Sequence, residues 1–438
     1  MGNQRTRMLL CLVPLVFSLA QNPGLAAGTT VKRVNETSNG VQPSESAFWA
    51  RASRTGRFVA FTTSADLVPR DDNSANDSYV KDLKTGTVRL ASARSNGNEG
   101  NMPSTTADIS GNGRYVVFFS ASDNLVPNDD NDDEDVFVHD RKTGTTKRIS
   151  VRSNGNEGPR KSQLGSISGD GRFVAFRSDS ALVSGDDSVD TLHPDIYIHD
   201  RSTDRTRLVS KTPSGNATGD TGYVDISEDG KFVVFDTYQP LGPGDDADSR
   251  DIYRWSRKTG NMKIVSVSSS EELGNGFFGP SSPRISGDGK SVLFESDSSN
   301  VVPGDAGDDR DLFVRNVPQG KTRRATIGNG GVEPNSDSGI LGGDISADGR
   351  WVTFSCFATN LISEDNNGET DVFVRDMGTQ RTRRVGLTID GGEPDNDSSD
   401  PFISGDGRYV VFNTNATNYL REDDNGTEFD VLRVGPLR

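Results

Sequence analysis

Short apolar runs alternate with glycine-containing turns along most of the chain, and none of them shows the period of about 3.6 residues that marks an amphipathic helix. In one representative unit the runs cover 105–110, 114–120, 136–140 and 146–151. The second run, which contains Tyr-Val-Val-Phe-Phe, is apolar on both sides of a strand, as in a sheet packed between two other sheets. Asn-Gly and Asp-Gly turns suit tight hairpins. The pattern predicts a four-stranded antiparallel meander.

This unit occurs seven times, each copy carrying a glycine, a basic residue and then an apolar run. The repeat glycines are Gly56, Gly113, Gly171, Gly230, Gly289, Gly349 and Gly407. Successive glycines are separated by 57, 58, 59, 59, 60 and 58 residues. A fixed period of this length indicates supersecondary units that stack around one core. Seven radial four-stranded sheets form a β-propeller, so the sequence predicts an all-β, seven-bladed β-propeller.

The two ends of the chain predict how the ring closes. The seventh unit stops after its third strand, 430–434, and has no fourth strand. Near the N-terminus, 31–35 (Val-Lys-Arg-Val-Asn) is similar to the fourth strand of the second unit, 146–150 (Thr-Lys-Arg-Ile-Ser). We therefore expect the N-terminal strand to complete the last blade.

Segments of the third unit resemble the WD-repeat-like propeller units of TolB-type periplasmic proteins. They are 167–176, Ile-Ser-Gly-Asp-Gly-Arg-Phe-Val-Ala-Phe, and 195–201, Asp-Ile-Tyr-Ile-His-Asp-Arg. The resemblance extends over 28–438 and implies the propeller fold. The sequence shows neither the N-terminal α/β domain of TolB nor the hydrolase domain that prolyl peptidases add to a similar propeller, so we expect neither function.

One branch of TolB-like propellers, the oligogalacturonate lyases, holds a metal through a histidine-rich site. This chain has three histidines, His139, His193 and His199. His139 and His199 occupy one position of the repeat, where other units carry Lys81, Trp255, Arg315, Arg375 and Val434. Such variety predicts a strand position on the surface, and we do not expect a histidine cluster of the lyase type.

The first 27 residues are typical of a secretory signal peptide. Arg5 and Arg7 precede an apolar stretch, 8–17, that is too short to span a membrane, and small residues follow up to Ala27. The remaining 28–438 are predicted to form one periplasmic or secreted propeller domain, monomeric and not inserted in a membrane. The formal net charge of −16 argues against nucleic acid and anionic lipid as partners.

Acidic loops between the second and third strands are candidate metal sites, because oxygen ligands at alternate positions suit Ca²⁺. Three units show this pattern: Asp129, Asn131, Asp133 and Asp135; Asp365, Asn367, Glu369 and Asp371; and Asp424, Glu428 and Asp430. The first unit shows it more weakly, with Asp71, Asn73 and Asp77. Alternatively, these side chains bond their own backbone in Asx turns. The sequence leaves both interpretations open.

Long, irregular loops join each fourth strand to the next first strand, at 153–164, 213–223, 271–284, 328–342 and 390–401. Propeller geometry places them on the same face as the acidic loops, and variable loops on a rigid scaffold commonly bind ligands. Phe277 and Phe278 are predicted to anchor a ligand there. The alternative is that this pair fills the volume left by Ser291, which replaces the aromatic residue of the other six units.

These features favour a binding protein over an enzyme. The predicted function is an exported scaffold that binds a protein or a polysaccharide through its long-loop, acidic face. Two alternatives stay open: a polysaccharide lyase or hydrolase that uses the same face, and a calcium-dependent structural or adhesive surface protein. Calcium is the one cofactor predicted.

Overall fold

The computed structural model describes residues 29–184, 186, 194–211, 219–242, 250–276, 283–305, 310–336, 342–388, 390–421, 423 and 425–437. Within these ranges 28 strands form seven four-stranded antiparallel sheets. The same ranges contain no helix, and so none long and apolar enough to cross a membrane. The predicted all-β, seven-bladed β-propeller is confirmed, whereas the predicted signal peptide lies outside the described residues.

The strands, in chain order, are β1 (Thr30–Arg33), β2 (Ala47–Ala52), β3 (Phe58–Thr63), β4 (Asp77–Asp82), β5 (Val88–Leu90), β6 (Ser104–Ile109), β7 (Tyr115–Ser120), β8 (Asp135–Asp140), β9 (Thr145–Arg148), β10 (Ser162–Ile167), β11 (Phe173–Ser178), β12 (Asp195–Asp200), β13 (Arg205–Leu208), β14 (Thr221–Ile226), β15 (Phe232–Thr237), β16 (Asp251–Ser256), β17 (Met262–Ile264), β18 (Arg284–Ile285), β19 (Ser291–Ser296), β20 (Asp311–Asn316), β21 (Lys321–Arg324), β22 (Gly343–Ile345), β23 (Trp351–Cys356), β24 (Asp371–Asp376), β25 (Arg381–Arg384), β26 (Ser398–Ile403), β27 (Val410–Thr414) and β28 (Asp430–Gly435). Blades 1 to 6 each take four consecutive strands, beginning with β2, β6, β10, β14, β18 and β22. The first strand of each blade contacts the first strand of the next blade, so these strands line the centre of the ring.

Blade 7 is built from both ends of the chain, as predicted. Its sheet has the order β1-β28-β27-β26, with β1 antiparallel to β28. Val31 lies opposite Val434, and Arg33 lies opposite Leu432. Beyond the strand, the backbone N–H of Val34 donates to the carbonyl of Val431 at 2.8 Å. The ring is therefore closed by a continuous hydrogen-bonded ladder.

Neighbouring blades contact each other through an aromatic ring placed over a turn glycine. The seven repeat glycines have φ angles between 64° and 78°, a conformation that glycine adopts without strain. They also have no room for a side chain: a Cβ added at Gly230 would lie 2.6 Å from the ring of Phe173. The contacts are Phe58 on Gly113, Tyr115 on Gly171, Phe173 on Gly230, Phe232 on Gly289, Trp351 on Gly407 and Tyr409 on Gly56. Between blades 5 and 6 the residue over Gly349 is Ser291.

Arginines also contact these rings. The guanidinium of Arg141 in blade 2 lies 4.4 Å from the ring centroid of Phe58 in blade 1. At the closing interface Arg433 lies 4.3 Å from the ring of Tyr409 and donates to the carbonyl of Gly56 at 3.0 Å. Cation–π contacts of this kind add to the apolar packing between blades.

The third-strand position of His139 and His199 is buried, so the predicted surface location is wrong. The two side chains are 7 % and 2 % exposed. Their Nδ1 atoms lie 2.9 and 3.0 Å from the hydroxyls of Thr146 and Thr206. The loop that precedes the blade covers this position, since Thr146 also donates to the carbonyl of Ala93. Burial lowers the pKa of both histidines to about 4, which leaves them neutral at physiological pH.

Deleting 30–33 should lower the melting temperature by many degrees and promote aggregation, because β28 would become an open sheet edge. Thermal unfolding and light scattering measure the two effects. Lys32→Ala is the matched control: this side chain is exposed on the same strand, and its loss should change the free energy of unfolding by less than about 0.5 kcal/mol. An unchanged melting curve for the deletion variant would contradict closure by this strand.

Candidate functional site

One face of the ring carries both sets of long loops, as predicted. Asn73, Asn131 and Asn367 belong to loops between second and third strands. Their side-chain amides donate to carbonyls in the loops that lead to the next blade, at Gly100 (3.2 Å), Gly158 (2.9 Å) and Pro394 (3.1 Å). The opposite face carries the short hairpin turns that contain the repeat glycines. We call these the loop face and the turn face.

Carboxylates from three segments meet at the loop face of a blade, and we call this arrangement the carboxylate pocket. In blade 2 the pocket consists of Asp129 from the second-to-third-strand loop, Asp135 at the start of β8 and Glu157 from the loop to the next blade. Backbone and hydroxyl donors hold these groups: the N–H of Asp130 donates to Glu157 at 3.0 Å, and Ser150 donates to Asp135. Donors of the fold thus orient the carboxylates of the pocket.

In four blades an arginine from the fourth strand enters the pocket. Arg148 Nη1 lies 2.9 Å from Asp129 and 3.1 Å from Asp135, and it also pairs with Glu157. The equivalent arginines are Arg324 with Asp305, Asp311 and Glu333; Arg384 with Asp365, Asp371 and Glu393; and Arg33 with Asp423 and Asp430. These arginines are almost fully buried, and each balances part of the negative charge around it.

In the other three blades the arginine is replaced together with its cross-strand partner. Arg148, Arg324, Arg384 and Arg33 lie opposite Phe137, Phe313, Phe373 and Leu432, none of which has a hydroxyl. Blades 1, 3 and 4 instead pair a tyrosine with an aliphatic residue: Tyr79 with Leu90, Tyr197 with Leu208, and Tyr253 with Ile264. The residue on the fourth strand and its partner on the third strand therefore change together from blade to blade.

At two places among the described residues, three carboxylates come close enough to hold one metal ion. They are Asp71, Asp77 and Glu99 in blade 1, and Asp129, Asp135 and Glu157 in blade 2. The possible ligand atoms of each group lie within 4.8 Å of one another. Burial raises the pKa of Asp77 and of Asp135 to about 7, and burial with Glu99 close by raises that of Asp71 to about 8.

The alternating residues predicted to bind calcium do not converge as a set. In blade 2 the first and last, Asp129 and Asp135, face the pocket, whereas Asn131 Oδ1 accepts the backbone N–H of Asp133 at 2.9 Å in an Asx turn. In blade 6, Asp365 and Asp371 face Arg384, and Asn367 accepts the N–H of Glu369 at 3.4 Å. The structure thus shows the Asx-turn contacts of Asn131 and Asn367, and calcium at these residues stays a prediction.

The corresponding residues of the last blade have separate contacts. Asp430 pairs with Arg33 and accepts a bond from the Asn35 amide at 2.8 Å, and exposed Glu428 accepts one from Ser46 at 2.5 Å. Asp424 lies outside the described residues, as do His193 and the predicted anchors Phe277 and Phe278.

Sequence reasoning missed the pocket glutamates and the arginines. Glu99 and Glu157 belong to a repeated Ser-Asn-Gly-Asn-Glu-Gly motif in the loops that leave blades 1 and 2. The arginines recur at one position of the fourth strand, as in Thr-Lys-Arg and Thr-Arg-Arg. The repeated motif was the available signal, but only the register of the strands shows that these residues meet.

The central cavity enclosed by the described residues is smaller than a typical small-molecule site. It has a volume of about 90 Å³, whereas pockets for small molecules have about 300–1,000 Å³. Carboxylates that line this cavity join neighbouring blades: Asp108 and Asp344 accept the backbone N–H of Ile167 and Ile403 in the next blade, each at 2.9 Å. At the turn face an Arg54–Glu228 ion pair lies across the channel.

Exposed large apolar side chains are concentrated on the loop face. In the described part of the chain they are Val41, Phe48, Trp49, Met102, Tyr238, Val332 and Phe357, and each lies in a long loop or at a strand end on that face. Trp49 is 52 % exposed and Phe48 is 36 % exposed; Phe48 contacts Phe429 with ring centroids 5.7 Å apart. We call Phe48, Trp49 and Phe429 the aromatic patch.

A β-bulge positions the patch. The register between β2 and β3 shifts between Phe48 and Arg51, and Trp49 within this bulge has a φ of 57°. The same bulge occurs in β6, β10, β14 and β26, and Leu164 and Asp400 within it also have positive φ, so the bulge is a feature of the repeat. In the first blade this bulge carries the exposed indole of Trp49.

No family model matches the chain, and no curated protein matches it. Solved structures with a similar fold include an oligogalacturonate lyase in complex with manganese, at 13 % identity over 94 % of this chain and 96 % of that chain, with a TM-score of 0.53. The β-propeller domain of the Trilobed protease from Pyrococcus furiosus is 13 % identical over 84 % and 89 % of the two chains, with a TM-score of 0.51. TolB from Acinetobacter baumannii is 17 % identical over 69 % and 59 %, with a TM-score of 0.38. The first two likenesses show the β-propeller fold alone, and the TolB-type assignment stays a prediction.

Arg384→Ala should destabilise the protein by about 3–5 kcal/mol, because it leaves buried carboxylates without their cation. The loss should shrink at pH 5, where Asp365, whose pKa burial raises to about 7, is protonated. Denaturant unfolding at both pH values measures it. Arg350→Ala in the same blade is the control, since that 45 % exposed arginine should contribute no more than about 1–2 kcal/mol. Equal losses for the two variants would contradict a structural role for the pocket arginine.

Stability should rise as the pH falls from 8 to 5. Burial raises the pKa of Asp344 to about 7, above its unfolded value of about 3.9. Its contribution is complete below the unfolded value and is lost as the pH rises through the folded one. Asp344→Asn, which keeps the oxygen that accepts the Ile403 N–H, should reduce the slope of melting temperature against pH. A slope unchanged by this substitution would show that Asp344 titrates normally.

Proposed function

We propose that the protein is an exported scaffold that binds a protein or a polysaccharide on its loop face, with the aromatic patch as the anchor. The exposed Trp49 on the loop face, beside Phe48 and its partner Phe429, is the observation that carries this proposal. Aromatic rings supply large contact areas at low entropic cost, and they stack on sugar faces or fill a partner's pocket. The signal-like segment 1–27 supports export.

The charge and shape of the loop face restrict the ligand. With 64 acidic and 48 basic residues, the chain repels polyanions. A neutral glycan or a basic protein surface therefore fits better than a polyuronate. The small channel cavity favours a ligand that lies across the loop face rather than one that enters the ring.

Binding is favoured over catalysis by how the described histidines are used. His139 and His199 are buried, neutral and hydrogen-bonded to threonines in separate blades, so they are not placed to act as a shared ligand set or as a general base at the loop face. The carboxylates of blades 2, 5, 6 and 7 are paired with arginine.

Trp49→Ala should weaken ligand binding by at least about tenfold, the effect of losing an anchor residue, with no change in melting temperature. The protein contains a built-in reporter: Trp255 and Trp351 are 0 % and 5 % exposed, so Trp49 should give the emission that acrylamide quenches. Titration with soluble neutral and acidic polysaccharides and with basic proteins should shift this emission to the blue for a true ligand.

Phe357→Ala, on the loop face of blade 6, is the control and should bind as the wild type does. Unaltered binding by Trp49→Ala would overturn the patch as anchor. Release of shortened or unsaturated sugars would support the enzyme alternative instead, and binding abolished by EDTA would support the calcium-dependent surface protein.

A further inference from the structure

Blades 1 and 2 have the same carboxylate pocket, built from equivalent residues. Asp71, Asp77 and Glu99 correspond to Asp129, Asp135 and Glu157. The same donors hold both sets. Asp72 N–H donates to Glu99 at 3.1 Å, as Asp130 N–H donates to Glu157, and Ser92 donates to Asp77 at 2.5 Å, as Ser150 donates to Asp135.

The two pockets differ in the group that lies among the carboxylates. In blade 2 the Arg148 guanidinium is within ion-pair distance of all three. At the equivalent position blade 1 has Leu90, whose side chain ends in methyl groups. No lysine, arginine or histidine of the described residues pairs with the blade 1 trio. The neighbouring Arg70 instead donates to the carbonyl of Asn96.

Two oxygens of the blade 1 trio are buried and accept no hydrogen bond from the described residues. They are Oδ1 of Asp71 and Oδ2 of Asp77, on side chains that belong to residues only 4 % and 0 % exposed. The Tyr79 hydroxyl, which could have approached them, donates to the carbonyl of Ala65 at 3.0 Å. In blade 3, by contrast, the equivalent Tyr197 hydroxyl contacts Asp186. Buried oxygens without a donor call for a cation, a proton or a water molecule, and the absence of the arginine found in blade 2 makes a cation the candidate here.

We propose that blade 1 binds a hard divalent cation, of which Ca²⁺ is the best match, through Asp71, Asp77 and Glu99. The ligand set is all oxygen, which suits Ca²⁺ rather than softer metals. The ligand atoms lie within 4.8 Å of one another, and oxygens on opposite sides of a Ca²⁺ ion are about 4.6–5.2 Å apart. Half-buried Glu99 leaves a route from solvent.

The ion takes the structural role that arginine has in other blades. It joins the loop before β4 to the loop that leads to blade 2, as Arg148 does one blade later. The arginine-containing acidic loops that match the alternating pattern best are then the weaker metal candidates, and the first blade is the stronger one.

Calcium binding to the wild-type protein is the first test. After EDTA treatment and desalting, isothermal titration with CaCl₂ should show one equivalent bound, and millimolar Ca²⁺ should raise the melting temperature relative to EDTA. If titration with CaCl₂, and then with MnCl₂, gives neither heat nor a thermal shift, the proposal is overturned and the trio holds protons in place of a cation.

Exchanging the two coupled residues between blades locates the ion. Tyr79→Phe with Leu90→Arg copies blade 2 into blade 1 and should abolish binding, while keeping the melting temperature in EDTA at or above that of the wild type. Tyr79→Phe alone is the control and should still bind one ion. The reciprocal change, Phe137→Tyr with Arg148→Leu, should create a second site in blade 2. Undiminished binding by the first double variant would overturn the assignment to blade 1.

Asp71→Asn is a second test of the blade 1 site, for the case that a double variant does not fold. It should weaken Ca²⁺ affinity at least about tenfold, since the number of charged ligands sets the affinity of such sites. In EDTA it should be as stable as the wild type or more stable, because one of three close carboxylates is neutralised. A purely structural aspartate would instead destabilise the protein equally with and without Ca²⁺. Trp49 is unchanged in every variant, so this outcome is independent of the ligand-binding proposal.

Discussion

The ring depends on one contact, an aromatic ring placed over a glycine of the next blade. The glycine is required twice over, for its positive φ in the hairpin turn and for its missing Cβ, which leaves room for the ring. Turn geometry and blade packing are thus one constraint. The same contact, Tyr409 on Gly56, joins the last blade to the first, so closure uses the interaction found at every other interface except that between blades 5 and 6, where Ser291 replaces the ring. Loops on the opposite face can differ freely because none of them carries this contact.

The carboxylate pocket is built with one of two residue pairs, depending on the blade. Where phenylalanine or leucine lies opposite arginine, the guanidinium occupies the pocket. Where tyrosine lies opposite an aliphatic residue, the pocket contains no guanidinium from that position. Both pairs fill similar volume between strands, so the sheet is unaffected. The acidic residues around them then face a different electrostatic environment, although the backbone that presents them is the same.

The fold could be predicted from the sequence because each repeat carries its own local signals. Turn glycines, apolar runs and the displaced strand at 31–35 indicated seven blades and their closure. Side-chain environments were harder to predict, because they depend on contacts between repeats. His139 was placed on the surface, yet the loop before its blade buries it. Asp129 was recognised as a candidate ligand, but its neighbour Arg148 lies on a strand whose register the sequence does not reveal.

Pairing between the first strand and the last has a consequence for vectorial synthesis. β1 is made before any other strand, and its partner β28 is made after all of them. Blades 1 to 6 can each form from contiguous chain, but the seventh must wait, and long-range closure of this kind is slow. Until then β1 has no partner within its own molecule, and a β28 from a second copy offers the same ladder. When nascent chains are close together, β1 of one copy can therefore pair with β28 of another. A permuted chain in which β1 follows β28 would not carry that risk.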